Sequence, residues 1–174
     1  MIKLDFFDST DFNLFISWIN NKEELFQFAG PIFTYPLTTE QLLAYSADDR
    51  RIPFKVVHIK TNEIIGHCEL NFENTIPRLS RILIADSRAR GKGIGKLIVD
   101  KMLEQLFVMR YFDSADLNVF DWNKGAIRCY EQVGFKINSE CVNTQILDND
   151  IWTALNMIIT KELWLKNKEV FKLH

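Results

Sequence analysis

Hydrophobic positions change period several times along the chain, and each change marks an element. Ile2 to Phe7 alternates imperfectly and predicts a first strand. Asp8-Ser9-Thr10-Asp11 then supplies helix-capping side chains, and Phe12, Phe15, Ile16 and Ile19 recur at helical spacing with Trp18 beside them. A second short helix over Lys22 to Phe28 stops at Gly30-Pro31, and Pro36 makes the aromatic run from Ile32 a loop. Thr38 with Gln41 three residues later is a capping-box pattern, which predicts a third helix through Leu42, Leu43 and Tyr45.

Phe54 to Ile59 and Ile64 to Phe72 read as two strands joined at Thr61-Asn62-Glu63, an antiparallel hairpin. On its second arm Ile65, His67, Glu69 and Asn71 share one face, and Ile64, Cys68, Leu70 and Phe72 the other. A tight register makes His58 and His67 diagonal neighbours and, with Glu69, a superficial metal set. Two distant histidines and a carboxylate are more often structural, so no metal is expected. Arg78 to Ala85 is the next strand, and Ile94 to Met109 carries an apolar stripe on Ile94, Leu97, Ile98, Met102, Leu106 and Met109. Asp116 to Phe120 follows as a strand, so this strand, helix and strand form a right-handed crossover with a parallel pair. Phe135 to Val142 and Trp152 to Thr160 read as closing strands, and a short tail is expected from Lys161. The pattern is mixed α/β.

Composition narrows the function without naming it. A chain of 174 residues fits one domain, and the 47% hydrophobic and 25% charged residues show no bias toward disorder or repeats. A net charge of −2 gives no global attraction to nucleic acid or to an anionic membrane, so neither is expected as a partner. The N-terminus lacks a charged region followed by an apolar core, and no stretch approaches the ~20 apolar residues of a membrane span, which points to the cytoplasm. Cys68, Cys129 and Cys141 are odd in number and far apart, so they read as reduced, packed thiols.

The chemistry concentrates at Arg90-Gly91-Lys92-Gly93-Ile94-Gly95-Lys96, between a strand and a helix. First-turn N–H groups of a helix have no intrahelical partner and carry partial positive charge, so this is an anion cradle. A P-loop needs four residues between its glycine and the Gly-Lys pair and then Ser or Thr; here three separate Gly91 from Gly95, and Leu97 follows Lys96. A dinucleotide fingerprint needs glycine where Lys96 stands. What remains is Arg-x-x-Gly-x-Gly on Arg90, Gly93 and Gly95. A second motif follows one strand later: Asn123, Ala126, Tyr130, Gly134 and Phe135 in the spacing Asn-x-x-Ala-x-x-x-Tyr-x-x-x-Gly-Phe. Asn123 suits a helix cap, Ala126 leaves room for a ligand, Tyr130 lies one turn beyond it, and Gly134 suits a left-handed stop.

Together the two motifs resemble the GCN5-related N-acetyltransferase family, closely over Phe54 to Thr160 and by layout over the first fifty residues. The resemblance implies a single domain over 1–174, with an acceptor side in 1–50 and a cofactor core in 54–160. It implies an α/β (α+β) fold, a mostly antiparallel sheet of six to seven strands with a splayed parallel pair and about four helices. Trp18-Ile19-Asn20-Asn21 and the aromatic loop look most like the branch of ribosomal-protein alanine, spermidine and sugar-amine acetyltransferases.

The implied activity is transfer of acetyl from acetyl-coenzyme A directly to a primary amine of a small molecule or a protein N-terminus. The alternative is a coenzyme A-binding module with little or no turnover, and monomer and homodimer both remain open. In the family the cofactor's pantetheine arm fills the gap between the splayed strands, here beside Leu83, Ile84 and Ala85, with an N–H near Ile84 polarising the carbonyl. Its pyrophosphate lies over Arg90, Gly91, Lys92, Gly93, Ile94, Gly95 and Lys96, with Asn118, Asn123 and Ala126 as further contacts. Tyr130 matches the family's general acid and cofactor contact. The strand before the glycines carries no carboxylate, unlike members that keep a glutamate there, so the base is left to Glu69, then His67, or water.

Overall fold

The computed structural model describes residues 1–85 and 91–172. Seven strands form one sheet in the order β1-β2-β3-β4-β5-β7-β6. They are β1 (Ile2–Phe6), β2 (Arg51–His58), β3 (Ile64–Asn71), β4 (Arg78–Ile84), β5 (Ser114–Phe120), β6 (Lys136–Leu147) and β7 (Asp150–Thr160). Between β1 and β2 the chain makes α1 (Phe12–Ser17), α2 (Lys22–Ala29) and α3 (Thr39–Ser46). Then come α4 (Ile94–Phe107), α5 (Lys124–Val133) and α6 (Lys161–Lys172).

The two faces of the sheet carry separate cores, as strand alternation requires. Phe54, Val56, Cys68, Leu70 and Leu79 pack with Ile98, Met102 and Leu106 of α4, and Trp164 of α6 closes this layer. Phe7, Phe12, Phe15, Leu25, Phe33, Leu42 and Tyr45 form the other core under α1, α2 and α3. Trp164 makes α6 a helix where a tail was expected: its ring lies 5.6 Å from that of Phe107, and its indole N–H donates to Asp100 over 2.8 Å. Those contacts are far away in sequence, so local pattern does not reveal them.

Of two expected caps, one forms as expected and the other differs in an informative way. Asp8 and Asp11 make a reciprocal capping box before α1, whereas Thr38 receives the Gln41 N–H but Gln41 does not return the bond. Its side chain instead accepts from Thr34 N–H and donates to the Thr34 and Pro36 carbonyls, tying down the aromatic loop. Irregularities in the hairpin also matter. A register shift at Val56/Val57 sends Ile65 to the α4 side, and Lys55, not His58, stands opposite His67. His58 contacts Thr61 and is no partner for His67. Among the described residues no group of three or more His, Cys, Asp or Glu side chains is placed to hold a metal.

β4 and β5 are the parallel pair, but they pair only at Arg78↔Asp116 and Leu79↔Leu117. Beyond that point β4 stays with β3 and β5 stays with β7 along its whole length. On the β3 side, Glu69↔Ser80 is followed by His67↔Leu83, so β4 carries one extra residue, a bulge with Arg81 at φ 50°. A bulge bends and twists its strand. The sheet therefore opens into a wedge, narrow at Arg78 and wide at Ile84.

Candidate functional site

A cleft of about 880 Å³ runs through the wedge. Leu83, Ile84 and Ala85 line one side, Asn118 and Phe120 the other, and Gly91, Gly93, Gly95, Lys96, Asn123, Ala126 and Tyr130 line the end nearest α4 and α5. Eleven of the sequence-derived cofactor positions thus meet in one space. Ile94 packs toward the core, and Lys92 is exposed outside the lining. Arg90 lies outside the described residues.

The glycine turn is shaped by backbone rather than by crowding. Gly91 and Gly93 sit at φ 76° and 81°, where side chains are strained, yet a Cβ on either would meet nothing within 4 Å. Gly93 caps α4 without any side-chain hydrogen bond. The N-terminal amide groups of a helix thus border the cleft without a side-chain cap. Gly95 has a different role: a Cβ there would stand 3.3 Å from Cys129 Sγ and 3.8 Å from Ile84 Cδ1. Its small size lets α4 approach both α5 and β4.

α5 is held at both ends by the motif residues. Asn123 Oδ1 accepts from Ala126 N–H over 3.2 Å. Gly134 ends the helix at φ 119°, and the N–H groups of Gly134 and Phe135 return to the Tyr130 carbonyl over 3.1 and 3.0 Å. Between them Tyr130 turns into the cleft. Burial, then the neighbouring Cys129, pushes its phenol above the ordinary tyrosine range, so it stays protonated near neutral pH. Burial likewise raises Cys129, which stays a thiol.

The base candidates are placed differently. Glu69 is fully buried, outside the cleft lining, and its Oε1 accepts from Arg51 over 3.0 Å and Arg81 over 2.7 Å. Arg81, not Glu69, faces the cleft. His67 is also fully buried, ringed by Phe7, Phe15, Phe28 and Tyr45. Burial lowers its pKa to about 3, so it is neutral, and its Nδ1–H donates to the Arg81 carbonyl over 3.1 Å. Neither Glu69 nor His67 is among the residues that line the cleft.

Sequence reading missed the residues that shape the wedge. Arg78 holds Asp116 with two hydrogen bonds, and Asn156 Nδ2 bridges Asp116 over 2.9 Å to Asn118 over 3.0 Å. These residues read as ordinary strand polar positions because their partners lie about forty positions away. Trp18, Ile19, Phe28 and Pro31 line the end opposite the glycines.

The fold has counterparts. Structures similar to the chain include spermidine N-acetyltransferase from Vibrio cholerae in complex with coenzyme A and spermine. That match has 20% identity and a TM-score of 0.78, over 94% of this chain and 98% of that one. An aminoglycoside acetyltransferase in complex with coenzyme A matches with 22% identity and a TM-score of 0.75, over 97% and 99%. At such identity the likeness speaks for the fold. Among the described residues no helix is long and apolar enough to cross a membrane. A family model, the acetyltransferase (GNAT) family, matches residues 21–135, the stretch that runs from the start of α2 through the glycine turn to the end of the Asn-to-Phe motif. With its splayed parallel pair, glycine turn and cleft-facing tyrosine, the chain belongs to the GNAT acetyltransferase family.

Proposed function

We propose that the protein transfers acetyl from acetyl-coenzyme A directly to a primary amine, on a small molecule or a protein N-terminus. The observation that carries this reading is one continuous cleft, with the glycine turn and Tyr130 at one end and an aromatic mouth at the other. The residues fit the donor. The wedge leaves the β4 edge beyond Leu79 without a β5 partner, suited to an extended arm, and the open space at Gly91 and Gly93 suits a pyrophosphate. When bound, acetyl-coenzyme A supplies the thioester that the amine attacks.

The chain's own residues bind and orient. Leu83, Ile84 and Ala85 would hold the arm, and the N–H groups of Gly93, Ile94 and Gly95 with the Lys96 cation would hold the phosphates, Lys92 adding charge from solvent. Asn118, Asn123 and Ala126 shape the wall between them. The Tyr130 hydroxyl, kept protonated by burial, donates its proton to the departing sulfur. The amine's proton goes to water, because Glu69 is the counter-charge of Arg51 and Arg81.

That same pairing favours a second reading, a coenzyme A-binding module with little turnover. Thiol release from acetyl-coenzyme A against an amine panel separates the two. Release with at least one amine supports the transferase; tight binding without release from any amine supports the module.

A further inference from the structure

The acceptor end of the cleft bears on which amine is used, an inference that rests on the transferase reading. Its walls include Trp18 and Ile19 at the end of α1, with Phe28 and Pro31 from α2 and the turn after it. Trp18 and Phe28 both lean on Phe15, at ring-centroid distances of 5.8 and 5.5 Å, so they form one fixed aromatic surface.

Charge around this end is largely matched within the protein. Arg78 pairs with Asp116, Arg81 with Glu69, and Glu73 with Arg51. Among the described residues lining this end, that leaves Glu24, whose carboxylate accepts from the Asn20 backbone and side-chain amides. One carboxylate matches one ammonium. A polycation entering here would bring further charges that no other carboxylate among the described lining residues is left to match, and an unpaired charge leaves water at high cost. An aromatic wall instead buries an apolar body and attracts a single cation to its ring face.

We infer that the acceptor is a monoamine carried on an apolar or aromatic body, of the arylalkylamine class, rather than a polyamine or an aminoglycoside.

The coenzyme A-loaded full chain is titrated calorimetrically with phenethylamine, spermidine and kanamycin, and the same amines are assayed for thiol release. Phenethylamine is expected to bind at least about 10-fold more tightly than either polycation, the scale on which an apolar pocket discriminates. Trp18→Ala and Phe28→Ala should each weaken it by about 10-fold through lost apolar contact, with folding checked by coenzyme A titration. Equal or tighter binding of spermidine or kanamycin overturns the inference, as does failure of phenethylamine to bind. Preferred binding of phenethylamine without thiol release supports the acceptor class and removes the transferase reading instead. Thiol release with spermidine preferred does the reverse.

Discussion

Arg78 and Asp116 face each other across the parallel pair, joined by hydrogen bonds of 2.8 and 2.7 Å at the narrow end of the wedge. They are opposite one another in register, one step before β4 and β5 part. The ion pair therefore pins the strands where the cleft begins, and Asn156 ties Asp116 onward to Asn118.

Removing one member leaves the other partly buried and unpaired, the costly half of a buried ion pair. Arg78→Met should lower unfolding free energy by about 2 kcal/mol, below the full buried-pair range because Arg78 keeps some solvent contact. Urea denaturation measures it. An unchanged midpoint would mean that the strands are held without this pair.

Gly134 supports a test of two separable costs. Its φ of 119° is strained for any side chain, and a Cβ would stand 2.4 Å from Asn167 Nδ2, which donates to the Val133 carbonyl. Gly134→Ala should cost about 1–3 kcal/mol. In the double variant with Asn167→Ala the clash disappears and the strain remains, so the two losses should sum to more than the double variant shows. Strict additivity in thermal unfolding would refute the contact.

Buried His67 makes stability depend on pH. Its folded pKa is lowered to about 3 by burial, against an ordinary value of 6.5, so below about pH 6.5 the unfolded chain binds a proton that the folded chain refuses. Stability is complete above 6.5 and falls as pH drops toward 3, by up to about 1.4 kcal/mol per unit. His67→Phe should flatten the slope between pH 6.5 and 4.5, whatever it does to the plateau. An equal slope in chemical denaturation would show that other groups set it.

Gly93→Val should weaken coenzyme A binding at least about 10-fold, because valine at φ 81° reshapes the turn that opens α4. The surroundings are open within the protein, so backbone strain, rather than packing against protein atoms, distorts the turn. Equal affinity by calorimetry would remove Gly93 from the phosphate cradle.

Much of this was legible in sequence because its causes are local. Asn123 caps α5, Gly134 stops it, and Gly91 and Gly93 adopt positive φ, all signalled by residue type. The crossover from β4 through α4 to β5 followed from periodicity alone. What escaped depends on register. The bulges at Val56/Val57 and Arg81 leave no mark on alternation, so the neighbours of His67 and the two arginines on Glu69 were invisible. Trp164 needs Phe107 and Asp100 to anchor α6, and neither is near it in the chain.

Turnover rests on proton donation by Tyr130 inside the shared cleft. Thiol release by Tyr130→Phe, with coenzyme A affinity measured in parallel, tests this step. Loss of the hydroxyl should lower kcat about 100-fold or more while the cofactor still binds, the scale of a positioned proton donor. Turnover equal to that of the parent chain would contradict the account.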